Sequence, residues 1–231
     1  MFGILFWAAV IPPIFLMYKI YQMDQVEREP VGLLLRLFAL GAVACFPAAF
    51  IEAFLEGKVV PAVLDPKSIL FAVISNFIII AGAEEGFKYL VLKKMTWRHP
   101  AFDHTFDAVV YSVAVTLGFA ALENILYVSE GGLGVAMSRA LLSIPGHCIF
   151  GIFMGYYYGL AKKCSMNGDR AGEKRFLTLA VLHPMLLHGF FDFSITIGSE
   201  IMVIVFFIYV LVIDIIAFRK IRKLAREDQR L

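Results

Sequence analysis

The sequence predicts an all-α protein, a polytopic bundle of about seven transmembrane helices with the N-terminus outside and the C-terminus in the cytoplasm. Three observations predict it. Hydrophobic residues fill 60% of the 231 positions and charged residues only 17%, which is too apolar for a soluble domain of this size. Seven apolar stretches approach the ~20 residues a helix needs to cross ~30 Å of hydrocarbon. Basic residues gather on alternate connections, as cytoplasmic loops do.

The first stretch, 1–21, begins at Met1 without a basic leading segment or a small-residue cleavage site, and reads as a retained span rather than a signal peptide. The second, 32–55, carries Glu52 near its end, where a carboxylate can snorkel to the interface. The third, 68–92, holds the adjacent pair Glu84 and Glu85 in mid-span, and in the fourth, 106–128, Phe119, Glu123 and Tyr127 share one face. The fifth, 135–160, places His147 among Gly146, Gly151, Gly155 and Gly159, a spacing that lets helices approach closely. In the sixth, 175–197, His188 and Asp192 lie four apart on one face, and Pro184 removes a backbone donor and is expected to kink the helix. His183 points at another angle and is assigned to packing or the kink. The seventh, 200–218, has Asp214 near its end. The polar connections at 93–105 and 161–175 are short and no repeat or linker divides the chain, so a single domain over 1–231 is expected.

With the N-terminus outside, the inner segments hold sixteen Lys or Arg, whereas the outer segments hold only Lys58, Lys67 and Arg139. The basic tail therefore reads as a topology determinant, and the partner it implies is the lipid bilayer rather than nucleic acid. Cys45, Cys148 and Cys164 form no CxxC, and two of them lie within spans, so no disulfide framework is expected.

A carboxylate in hydrocarbon costs several kcal/mol by insertion scales, so each one needs a partner, a water-filled cavity or a function. Spacing pairs Glu84 with Lys88 at i, i+4 and turns Glu85 toward a neighbouring helix. Glu123 is near enough to its span's outer end to snorkel. Together Glu84, Glu85, Glu123, His147, His188 and Asp192 come from four spans, as an active site, a proton or ion path, or a metal site inside a bundle would require. Counting from span ends sets Glu123, His147 and Asp192 in the outer half but Glu84 ~24 Å deep, so one site needs a long or tilted third helix.

Several protease chemistries are missing. No HExxH is present, no rhomboid-like Ser with a glycine-flanked loop occurs, and the only Gly-Asp pair, Gly168–Asp169, lies in a polar connection. Carboxylate and imidazole chemistry remains. It can run without a cofactor, which is the leading expectation, or the same residues could hold Zn²⁺ as the alternative. A proton-coupled carrier would show two related halves, and the chain shows no such symmetry.

The segments AEEGFKYL, GFAALENILYV, GHCIFGIFMGYYYG and LLHGFFDF, in that order from about Asn76 to Phe193, resemble the PrsW family of bacterial membrane proteases. That family is related to the CAAX-prenyl endopeptidases. The resemblance implies a site-1 protease that cuts a single-span, membrane-anchored anti-sigma factor of the RsiW type, after which an extracytoplasmic-function sigma factor is released. It makes Glu84 or Glu85 the general base, His147 an assisting imidazole, and His188 with Asp192 the oxyanion-side pair. The chain departs from the prenyl enzymes in having Glu123 in place of their His and Asp192 in place of their frequent Asn, and an ionised Asp192 fits orienting His188 or binding a metal. A non-enzymatic immunity or sensor protein of the same superfamily is the alternative from another class.

Overall fold

The computed structural model describes residues 2–231, and among these it is helical with no named strand. Eight α-helices carry the fold: α1 (Phe2–Met23), α2 (Val31–Phe54), α3 (Ile69–Val73), α4 (Ala81–Thr96), α5 (Asp107–Ser138), α6 (Ile144–Met166), α7 (Arg170–Ile197) and α8 (Glu200–Arg226). Three π-helical segments join or extend them: Leu55–Val59 after α2, Ile74–Ile80 between α3 and α4, and Arg139–Ser143 between α5 and α6. The result is six continuous rods long and apolar enough to cross a membrane. One of them, Asp107–Met166, has 60 residues, about 90 Å if straight.

That rod is not straight. Gly132 adopts φ 71° and ψ −159°, a conformation open to glycine and strained for other residues, and the chain doubles back there. Gly155 of α6 consequently sits so close to α5 that a Cβ would lie 2.6 Å from the Ala108 carbonyl oxygen. The rod makes two passes, and the bundle has the seven expected from hydropathy.

The boundaries extend past the apolar stretches for a common reason: hydropathy marks where hydrocarbon lies, while the backbone stays helical into water. Thus α8 continues from the apolar stretch through Arg219 and Lys223 to Arg226. Likewise α7 begins at Arg170, where Asp169 caps it by accepting from the Gly172 amide at 2.9 Å. It runs through Pro184 uninterrupted.

The core is centred on α5, which packs against α1, α2, α4 and α6. Residues from Asp107 to Ala121 of α5 are buried on every face, as expected for a helix surrounded by others. Two devices fix its neighbours. Gly41 of α2 and Gly118 of α5 each face the other helix's backbone with no room for a side chain. On α1, Pro13 cannot donate to the Ala9 carbonyl four residues back, and the Asn124 amide of α5 supplies that hydrogen bond at 2.8 Å.

Backbone crowding at Gly118 generates a direct prediction. Gly118→Ala forces its Cβ into the Phe38 backbone and should cost about 1–3 kcal/mol, read as a lower thermal midpoint in detergent. Gly134→Ala, which meets nothing within 4 Å, should leave the midpoint within a degree or so.

Candidate active site

Four helices bring the intramembrane charges together. On α4, the Lys88 ammonium is 2.9 Å from Glu84 Oε2 and 2.8 Å from Glu85 Oε1, with Lys88 and Glu85 fully buried. The sequence expectation gave Lys88 to Glu84 alone. The structure corrects it, because a flexible lysine stem reaches both i−4 and i−3. Glu85 also meets the neighbouring helix as expected, through His188 Nδ1 of α7 at 3.0 Å. His188 Nε2 lies 3.1 Å from Asp192 Oδ2. Both imidazole nitrogens therefore face carboxylates, and only the imidazolium can donate to both.

The fifth span completes the centre. His147 Nδ1 lies 3.3 Å from Lys88 Nζ and Nε2 lies 2.9 Å from Glu123 Oε2. An ammonium can only donate, so Nδ1 accepts, which puts the imidazole proton on Nε2, directed at Glu123. Glu123 does not snorkel away. It pairs with Arg139 Nη2 at 2.7 Å, and Arg139 Nε donates to Asn124 Oδ1 at 2.9 Å. The face carrying Phe119, Glu123 and Tyr127 is used throughout, since Lys88 lies 4.2 Å from the Phe119 ring centroid and Arg139 lies 4.4 Å from that of Tyr127.

All six residues singled out in the sequence thus share one network. Two contributors were misplaced by sequence reading. Arg139 counted only as an outer-loop charge, yet it turns inward because Gly132 folds its segment back onto α5. Glu52 was expected to snorkel, but it lines the central cavity with one oxygen, Oε1, buried and unpartnered. The third helix is long, as a single site required: the Ile69–Thr96 rod has 28 residues, about 42 Å, well over the hydrocarbon thickness. His183 packs beside the rings of Phe153 and Tyr157, outside the network. Asp214 lies on the exposed side of α8.

A cavity of about 680 Å³ opens onto this centre. Glu84, Glu123, His147, His188 and Asp192 line it, while Glu85 lies sealed beneath. Its outer wall includes Glu56, Asn76, Ile80, Arg139, Leu142 and Ser143, so each of the three π-helical segments contributes to it. Such wide turns recur at functional sites.

Carboxylates and imidazoles from several spans, compensated by a buried lysine and open to a cavity, define a membrane-embedded hydrolase-like centre in a multi-pass protein. The family described as PrsW family intramembrane metalloprotease matches residues 29–217. Relatives named Protease PrsW are similar over most of both chains: 39% identical in Bacillus subtilis (82% of this chain, 81% of the relative), 38% in Oceanobacillus iheyensis (80% and 80%) and 33% in Clostridioides difficile (98% and 94%). The chain belongs to the PrsW family and is a membrane protease. No solved structure matches it.

The family's description names a metal, and the donor types suit one. Glu84, Glu85, His147 and His188 each offer an atom within 4.8 Å of the others, and Glu85 Oε2 is buried without a partner. Zinc held by these four would act as a Lewis acid toward the scissile carbonyl. The Lys88 ammonium already sits among three of the four donors, so ion and ammonium compete for one place.

Lys88→Met tests that competition. It strands two buried carboxylates, with an expected apparent loss of about 3–5 kcal/mol, seen as a lower thermal midpoint. Adding Glu85→Gln to Lys88→Met should recover part of it. Lys88→Met protein should also retain more Zn²⁺ than wild type when both are equilibrated with the ion and assayed by elemental analysis.

Proposed function

We propose that this protein carries out site-1 cleavage of a single-span, membrane-anchored anti-sigma factor of the RsiW type, leading to release of an extracytoplasmic-function sigma factor. The substrate class rests on membership of the PrsW family, and the observation that carries the hydrolytic reading is the position of Glu84: bonded to Lys88 through Oε2, and the only carboxylate of the adjacent pair that lines the cavity. The cavity volume suits a short stretch of substrate. Its outer wall lies at the bundle end opposite Lys93, Lys94, Lys162 and Lys163. With the orientation that the basic residues predict, that end is extracytoplasmic.

In this reading Glu84 is the general base. It takes a proton from the attacking water, and the electron pair on the water oxygen forms the bond to the scissile carbonyl carbon. Glu85 does not touch substrate. It anchors Lys88 and His188, so it is a positioning residue. The His188 imidazolium, oriented by Asp192 and Glu85, lines the cavity beside Glu84, and its charge stabilises the oxyanion as it develops. Collapse of the tetrahedral species breaks the C–N bond, and the amine leaves with the proton held by Glu84. His147, fixed by Lys88 and Glu123, lines the cavity beside them. Partial shelter from bulk water strengthens each of these interactions over its value in water.

The test is co-expression with a tagged RsiW-like substrate at matched membrane levels. Wild type should yield a shortened substrate, and Glu84→Gln should lower the rate at least ~100-fold. Glu85→Gln should retain measurable cleavage while lowering the thermal midpoint. Cutting by Glu84→Gln at the wild-type rate would remove the general-base assignment. Equal cutting of unrelated single-span proteins would leave the protease and remove the anti-sigma specificity.

A further inference from the structure

A second group of carboxylates lies at the opposite end of the bundle, and peptide hydrolysis makes no use of it. Asp24 and Glu29 belong to the connection between α1 and α2, and Asp107 opens α5. Their exposures are 1%, 4% and 0%, and one oxygen from each lies within 4.8 Å of the others. Some of these oxygens are satisfied: Glu29 accepts from the Tyr111 hydroxyl, and Asp107 Oδ2 accepts from the amides of Asp103 and His104 at 3.0 and 2.7 Å.

Others are not. Both oxygens of Asp24, and Asp107 Oδ1, are buried without a hydrogen-bond partner. Among the described residues, no Lys or Arg forms an ion pair with Asp24, Glu29 or Asp107, and His104 turns Nδ1 to Asp103 at 2.9 Å and toward Glu27 at 3.7 Å. A buried aspartate with no close hydrogen bond and no Lys or Arg beside it is costly and calls for a neutralising partner. The spacing suits a particular partner, because oxygens that ligate one hard cation at ~2.1–2.4 Å lie roughly 3–4.8 Å from each other. Carboxylate oxygen is also the donor that such ions prefer. The C-terminal tail adds Asp228, whose Oδ1 accepts from Thr105 Oγ1 and the Phe106 amide while Oδ2 is buried and unpartnered.

We propose that Asp24, Glu29 and Asp107 form a binding site for one hard divalent cation, Mg²⁺ or Ca²⁺, that clamps the α1–α2 connection to the start of α5. The orphaned Asp24 carboxylate is aimed into the site and is the residue whose burial the cation explains. The site fastens the fold rather than performing chemistry, since Asp107 belongs to the helix that carries Glu123.

Full-length protein in nanodiscs, stripped with EDTA and desalted, tests the site by thermal unfolding with added MgCl₂ or CaCl₂, and with NaCl at matched ionic strength. One divalent ion should give a saturable rise in midpoint of about 5 °C, and the preferred ion identifies the occupant. The response should vanish in Asp24→Asn and persist in Glu84→Gln, which separates it from binding at the hydrolytic centre. No rise with either ion, or an undiminished rise in Asp24→Asn, overturns the proposal. So does a midpoint that ignores divalent ions and climbs only as pH falls, which would assign a shared proton to the cluster. Should Asp24→Asn fail to accumulate, Glu29→Gln takes its place. Should neither accumulate, one equivalent of bound ion in Glu84→Gln by elemental analysis supports the site, and none removes it.

Discussion

A lysine ammonium buried in the membrane interior constrains the rest of this structure. Lys88 has no access to solvent, and an isolated charge there would be prohibitive. It is stable because Glu84, Glu85, His147 and the Phe119 ring surround it. Each of those contacts imposes a further one. Glu85 must meet His188, which must meet Asp192. His147 must meet Glu123, which must meet Arg139, and Arg139 must meet Asn124, whose amide fills the backbone vacancy that Pro13 leaves on α1. One polar network thus spans five passes of the bundle, and the helices hold a single arrangement because shifting any of them breaks a hydrogen bond or ion pair on which the next contact depends.

The same logic divides labour between two adjacent glutamates that look equivalent in sequence. They differ by about 100° around α4. That rotation alone points Glu84 at the cavity and Glu85 into the protein. A reactive carboxylate needs water within reach, and a positioning carboxylate needs to be shielded from it. In the proposed mechanism a side-by-side pair on one helix serves both needs without a second element.

Much of this was legible beforehand because helical spacing is local. The i, i+4 relations of Glu84 to Lys88 and of His188 to Asp192 are fixed by the helix itself, and both appear as hydrogen-bonded or ion-paired contacts. The insertion cost of charged groups correctly marked all six residues that gather here. What could not be read depended on tertiary geometry. Arg139 reaches Glu123 only because Gly132 reverses the chain, and glycine in a membrane segment carries no label distinguishing a reversal from a packing groove. Glu52 lies within α2 with the helix continuing past it, so it lines the cavity and does not sit at a frayed end. The long third helix that a single site required is the 28-residue Ile69–Thr96 rod.

The three π-helical segments have one more consequence. Two of them, Ile74–Ile80 and Arg139–Ser143, lie between α-helices, and each is in effect a single extra residue accommodated in a helical turn, so the helix on its outer side is rotated by roughly 100° relative to an unbroken α-helix. Removal of one residue from Ile74–Ile80 would restore ordinary winding. The α3 side of the segment would turn relative to the cavity while Glu84, Glu85 and Lys88 below kept their places. The mouth of the cavity and its floor are therefore separable units of inheritance: a one-codon insertion or deletion can redraw what is admitted without touching the groups that react.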